Sequence, residues 1–295
     1  MTAPAAPPRR TSRIRKIILI ALVMGVAAVF SAVALLWWTN SKIERIPDEE
    51  LTSLVEVEGP RNILVIGTDS REDLSDDLGN NFGKFGGSRA DVIMLVHFIP
   101  GERAQILSLP RDLRVELPSG EMGKINSALS GGPGAMVDTV IKNLEVDVNN
   151  YVQIDFSGFA RLVDALGGVE LEFKYAAKDD KSGLSVSPGR QTLDGAQALA
   201  YARSRQYEEL RDDGWRKVGA NDIARTRRQQ RVMLALFDQA TSTGNALNLP
   251  NFASKVAEEI KADKSLSASV ILELGRAVLS LSSSDIEAMT LPVDI

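Results

Sequence analysis

Asp69 with Arg71, Arg89 with Asp91, and Arg111 with Asp112 stand beside three short apolar runs between Arg61 and Leu117. A guanidinium presents a planar fork of donors that matches the oxygens of a phosphate, and a carboxylate offers hard oxygen to a divalent cation bridging such oxygens. Together these residue types suit a phosphate site with a metal. The runs, Ile63–Ile66, Val92–Val96 and Ala104–Leu109, have the length and aliphatic content of buried strands. One pair follows its run, the next precedes its run, and the third follows again. A middle strand antiparallel to its two neighbours would bring all three pairs to one edge of the sheet, with glycine turns at Gly67 and Gly86-Gly87. Any single pair reads as a strand-end salt bridge. Three at one edge read as a site.

Two later stretches add to it. Asp194 is a good N-cap for a helix Gly195–Ala202, which delivers Tyr201, Arg203 and Arg205 at its C-terminal end. From Asn221, the residues Asp222, Arg225 and Gln229 recur at i, i+3, i+7 on one helical face, with Arg228 beside them. Plainer readings stand next to these: Arg203 and Arg205 as partners of a helix C-terminus, and Asp222, Arg225 and Arg228 as a solvated ion-pair face. His97 lies inside an apolar strand and reads as structural. Met94 and Phe98 suit a core or a groove equally well.

The elements that must position these groups alternate along the chain. A helix is expected at 134–144 from Met136, Val137, Val140, Ile141 and Leu144, and a strand at Tyr151–Ile154. A second helix, Phe156–Leu166, is stopped by Gly167-Gly168, and Val169–Phe173 alternates like a half-exposed strand. Arg114–Leu117 extends the third strand on this reading, 176–190 is a surface loop, and 206–220 is an irregular flap over the site. The fold class is α/β, a mixed central sheet flanked by helices.

The chain has 295 residues and a net charge of −5, which hides an asymmetry. Five of its 34 basic residues fall in residues 1–16, leaving 29 against 39 acids in the remainder. An acidic body argues against nucleic acid as a partner and makes a local arginine cluster more informative. Residues 17–38 carry no charge and end in Trp37-Trp38. At about 1.5 Å rise per residue, such a helix spans roughly 33 Å, enough to cross a bilayer. The basic residues before it place 1–16 in the cytoplasm and everything after Asn40 outside. A cleaved signal peptide is the competing reading, although the run is long for one. The expected organisation is a basic tail 1–16, a transmembrane helix 17–38, a polar connector 39–60 and an extracytoplasmic domain 61–295. With no cysteine, disulfides and thiol chemistry are excluded.

Six stretches, Asn62–Arg71, Gly86–Val96, Ile106–Val115, Lys124–Pro133, Leu193–Arg205 and Asn221–Met233, resemble in sequence and order the motifs of the LytR-CpsA-Psr family. The resemblance covers about residues 60–295. It implies an α/β sheet with helices around a hydrophobic polyprenyl-binding groove. It also implies transfer of a glycopolymer phosphate from a polyprenyl-pyrophosphate carrier to a peptidoglycan sugar hydroxyl, assisted by Mg2+. By matching motifs, Asp69 and Asp91 would bind the metal. Arg89, Arg111, Arg203 and Arg205, with Arg225 and Gln229, would surround the pyrophosphate. Arg89, Arg111 and Asp222 carry the expected catalytic roles; the base for the acceptor hydroxyl stays open between Asp222 and Asp112. The insertion Asp76–Asn81 departs from the family pattern, and the further C-terminal domain of some relatives is not expected. A pyrophosphate hydrolase using the same residues and a non-catalytic lipid sensor are the rival readings. A sensor would need a cytoplasmic output module, which sixteen residues cannot form.

Overall fold

The computed structural model describes residues 39–69, 90–219, 221–241 and 249–292. The expected basic tail and membrane span, Arg71, Arg89, Gly86-Gly87 and the insertion at 76–81 lie outside them. Among the described residues no helix is long and apolar enough to cross a membrane.

In chain order the strands are β1 (Glu44–Arg45), β2 (Arg61–Thr68), β3 (Ala90–Ile99), β4 (Arg103–Ser108), β5 (Arg114–Glu116), β6 (Met122–Lys124), β7 (Asn150–Asp155), β8 (Val169–Phe173), β9 (Ala177–Asp179), β10 (Leu184–Val186), β11 (Gly189–Leu193), β12 (Glu208–Arg211), β13 (Gly214–Lys217), β14 (Ile260–Ala262) and β15 (Ile286–Thr290). The helices are α1 (Gly132–Leu144), α2 (Phe156–Ala165), α3 (Gly195–Arg203), α4 (Asp222–Thr241), α5 (Leu249–Glu259) and α6 (Ala268–Val278). A seven-stranded mixed sheet in the order β1-β14-β7-β2-β3-β4-β15 forms the centre. As expected, β3 runs antiparallel to both β2 and β4.

Alternation along β2 divides the sheet into two working faces. Leu64 and Ile66, with Ile93 and Leu95 of β3, pack against Met136, Val137 and Val140 of α1 in the largest core cluster. Val65 and Gly67, with Val92 and Met94 of β3, face the opposite way and line a cavity beneath α2, α3 and α4. Each of these three helices has a side-chain cap. Asp155 accepts from the Gly158 amide at 2.6 Å, Asp194 from Gln197 at 2.8 Å, and Asn221 from Ala224 at 2.8 Å. Helix α2 is stopped by Gly167 and Gly168, both with φ in the left-handed region at +80° and +94°.

Three expectations are corrected. Arg114–Glu116 does not prolong the third strand, because a turn closed by Leu113 N–H to Pro110 C=O at 2.9 Å redirects the chain. It pairs with β6 in a separate hairpin. Residues 176–190 and 206–219 are neither loop nor irregular flap. They build a four-stranded sheet, β10-β9-β12-β13. Its strands are short and carry charges on one side, so their period of two is hard to see beside Ala177, Leu184 and Val186, which are buried. Within the connector, Ile43, Ile46 and Leu51 are buried, and β1 pairs with β14.

Helix α3 must dock closely to hold its arginines at the cavity. The Gly195 amide donates to Asp164 of α2 at 2.7 Å, and a Cβ at Gly195 would lie 2.1 Å from the Ala160 carbonyl oxygen. Backbone cannot yield as a flexible side chain would. Gly195→Ala should therefore lower unfolding free energy by about 1–3 kcal/mol, read as a shift of the denaturant midpoint; an unchanged midpoint would mean that the two helices can separate freely.

Candidate active site

The β2–β3 pair carries an irregularity at its site end. Gly67 pairs with Val92 and Thr68 with Ala90, so Asp91 is the extra residue of a β-bulge. A bulge breaks the alternation of side chains and re-aims one of them. Asp91 and its neighbour Val92 both line the cavity as a result. Arg111 follows the end of β4, Arg203 and Arg205 stand at the end of α3, and Asp222, Arg225 and Gln229 lie on the first turns of α4. Arg111, Arg203, Arg205, Arg225, Gln229 and Asp91 line one cavity of about 500 Å³. Its apolar lining comes from Val65, Val92, Met94, Ile154, Phe156, Phe159, Leu199, Val232 and Met233.

The charged groups form one network. Arg111 Nη1 donates to Asp91 Oδ1 at 2.6 Å, and its Nε to Asp222 Oδ2 at 3.3 Å. Arg225 Nη2 donates to Asp222 Oδ2 at 3.1 Å, and its Nη1 lies 4.0 Å from Asp91 Oδ1. Arg205 stands 3.9 Å from Asp91 and 3.8 Å from Asp222. Asp112 is held mainly by Lys124 at 2.6 Å, with Arg111 farther off at 3.7 Å. That Lys124 hydrogen bond, stronger than the opposing effect of burial, lowers the Asp112 pKa. Three guanidiniums thus share Asp91 and Asp222, and Arg203 stands nearby over the Phe156 ring, 4.6 Å from its centroid. Cations are in excess.

Arg225 shows what this excess costs. Its side chain is 5% exposed, and burial together with repulsion from Arg205 and Arg111 outweighs Asp222 and Asp91, lowering its pKa to about 10. It remains charged at neutral pH. For Arg111, burial works in the same direction, but Asp91, Asp222 and Asp112 overcome it and raise the pKa. Among the described residues, the buried Nε of Arg225 has no hydrogen-bond partner. An unpaired buried donor in a cation-rich cavity suits an oxyanion. Arg225 and Arg228 are buried, which goes against the plainer reading of a solvated face, while Asp222 stays partly exposed. Arg228 donates to the carbonyls of Ser204 and Gly219 and stacks over Tyr207, so its role is to hold loops.

Asp69 follows the last residue of β2, and Ala90, next to Asp91, pairs with Thr68. Among the described residues, no three acidic, histidine or cysteine side chains gather around one point. The hard oxygens of Asp69 and Asp91 fit a small divalent cation in kind, and any such ion would need most of its ligands from a phosphate and water. His97 keeps to its structural role: Nδ1 is 2.8 Å from Asn62 Oδ1, its cross-strand partner. Sequence reasoning missed Asp179, Lys181, Ser182 and Gln206, which also line the cavity. The Asp179–Gly183 stretch, Asp-Asp-Lys-Ser-Gly, carried an Asx-turn signal that was absorbed into a supposed loop.

A cavity lined by arginines and by apolar side chains thus lies at the bulged end of the mixed sheet. The sequence matches the LytR_cpsA_psr family model over residues 38–294, and the chain belongs to that family. It is 35% identical to the probable cell wall biosynthesis protein LcpB of Corynebacterium glutamicum, over 78% of this chain and 53% of that protein. It is 32% identical to the polyisoprenyl-teichoic acid–peptidoglycan teichoic acid transferase TagU of Halalkalibacterium halodurans, over 72% of this chain and 64% of that one. The chain therefore spans about half to two thirds of the length of these relatives. The solved LytR-Csp2A-Psr enzyme from Actinomyces oris superposes with a TM-score of 0.64 at 29% identity, covering 81% of this chain and 86% of that one.

If an anion completes this network, it should substitute for a lost carboxylate. Asp222→Asn leaves Arg111, Arg205 and Arg225 less compensated and should lower the melting temperature in plain buffer. Inorganic pyrophosphate should then raise it by several degrees more in the variant than in the wild type, by thermal shift. Equal shifts in the two proteins would count against an anion site here.

Proposed function

We propose that this protein transfers a glycopolymer phosphate from a polyprenyl-pyrophosphate carrier to a sugar hydroxyl of peptidoglycan, outside the cytoplasm, on a domain anchored by residues 17–38. The observation that carries the reading is the cation-rich network of Arg111, Arg205 and Arg225 at a cavity that also has an extensive apolar lining. The relative TagU, named as a polyisoprenyl-teichoic acid–peptidoglycan teichoic acid transferase, supports the choice of donor and acceptor class.

In this reading the apolar walls take the first isoprene units and the arginines take the pyrophosphate. Arg111, Arg203, Arg205 and Arg225, together with Gln229 and Arg89, hold the phosphate oxygens in place. The acceptor oxygen attacks the phosphorus that bears the glycan. The bond from that phosphorus to the bridging oxygen breaks, and polyprenyl monophosphate leaves with the electron pair. Negative charge grows on the bridging oxygen, where fixed guanidiniums stabilise it without reorganising. Asp222, already oriented by Arg111 and Arg225, takes the hydroxyl proton. Mg2+ held by Asp69 and Asp91 would neutralise further phosphate charge when bound.

The test is a reaction of purified protein with a polyprenyl-pyrophosphate glycan and a peptidoglycan oligosaccharide. The expected product is a phosphodiester between the two glycans; free phosphorylated glycan alone would make the protein a hydrolase. Arg111→Lys keeps the charge but loses the fork, and should cut turnover by about 100-fold while the fold survives. Excess chelator should abolish transfer, and full activity in its presence would remove the metal from the scheme.

A further inference from the structure

Asp179 ends β9, is 1% exposed and borders the cavity. Both of its oxygens are engaged. Oδ1 accepts from the amides of Lys181 at 3.0 Å and Ser182 at 3.3 Å, closing the turn after β9. Oδ2 accepts from the Ser204 hydroxyl at 2.6 Å and from the amides of Arg205 at 2.9 Å and Gln206 at 2.8 Å. Ser204 ends α3, and its carbonyl accepts from Arg228 of α4. The segment that carries Arg203 and Arg205 is thus gripped on its N–H side by Asp179 and on its C=O side by Arg228.

Burying a carboxylate in the wall of an anion-binding cavity opposes anion binding, since it adds like charge. Burial alone would raise the Asp179 pKa, but the donors of Ser204, Gln206, Lys181 and Ser182 prevail and lower it, so the group stays ionised. Its attraction to the nearby Arg228 does not by itself account for five donors. Geometry does, because an ionised carboxylate can accept all five bonds at once and an amide cannot.

We infer that Asp179 is a positioning residue for the anion-binding arginines: its carboxylate fixes the backbone of residues 204–206 and thereby holds Arg203 and Arg205 at the cavity. The inference rests on the reading of that cavity as the pyrophosphate site. Asp179→Asn is nearly isosteric, yet either orientation of its amide sets an NH2 group against backbone N–H donors, of residues 181 and 182 or of 205 and 206.

Two measurements test it. Amide exchange followed by NMR should show Arg205 and Gln206 exchanging at least about tenfold faster in Asp179→Asn, while amides of β2 and β3 stay protected. Calorimetry with geranylgeranyl pyrophosphate should show about tenfold weaker binding in Asp179→Asn. It should show no further weakening when that change is added to Arg203→Ala/Arg205→Ala, because the two act through one another. Unchanged exchange at Arg205 and Gln206, or additive losses of affinity, would overturn the positioning role. Should Asp179→Asn fail to fold, Ser204→Ala, which removes one donor, should shift both readouts in the same direction by less. Wild-type protein that ignores the probe would sink the pyrophosphate reading, while faster exchange in Asp179→Asn would still support the clamp.

Discussion

Arg111, Arg205 and Arg225 share Asp91 and Asp222, and the surrounding structure holds these five groups in place. Arg111, Arg205 and Arg225 repel one another, and Arg225 has lost nearly all of its water. Mutual repulsion would scatter flexible side chains on a surface. Here each arises from a different rigid support: the turn after β4, the end of α3 and the first turns of α4. Asp91 meets them because a bulge turns it to the cavity side of the sheet. On the proposed reading, guanidiniums fixed in this way favour an oxyanion without reorganising.

The apolar part of the same cavity gives that preference a direction. Val65, Val92 and Met94 rise from the sheet, and Phe156, Phe159, Leu199 and Val232 descend from α2, α3 and α4. A free phosphate would satisfy the arginines but leave these walls against water, whereas a phosphate bearing a hydrocarbon would cover both. On the proposed reading, the adjacency of the two surfaces would select an amphipathic ligand.

How much of this was legible in the sequence depended on how local the signal was. The antiparallel order of β2, β3 and β4 was the arrangement under which the charged pairs would converge, and it is the one observed; the α3 cap was legible from Asp194. The grouping of Arg111, Arg203, Arg205, Arg225 and Gln229 in one cavity came from the family resemblance of their motifs, and the structure brings them together. The bulge at Asp91 was not legible, because nothing in Arg-Ala-Asp-Val announces a skipped register. The small sheet of β9, β10, β12 and β13 was missed because strands of three or four residues with charged exposed faces look like loops. Missing it hid Asp179, whose importance lies in backbone donors distant in sequence. The burial of Arg225 and Arg228 was equally invisible: arginines spaced along a helix look solvated until α3 and the loops at Ser204 and Gly219 cover them.

The start of the described chain has a mechanical consequence. Arg45 donates to the carbonyls of Asp263 and Leu266, and to Asn40, which also accepts from the Ala268 amide; β1 joins the edge of the main sheet a few residues later than Asn40. Residues 39–46 are therefore part of the rigid body and not a leash. A domain on a slack tether samples all orientations and dilutes its site over the volume that the tether sweeps. The contacts of Asn40 and Arg45 leave no such slack between residue 40 and the sheet. Flexible residues inserted between Asn40 and β1 would replace this fixed attachment with a tether that samples many orientations.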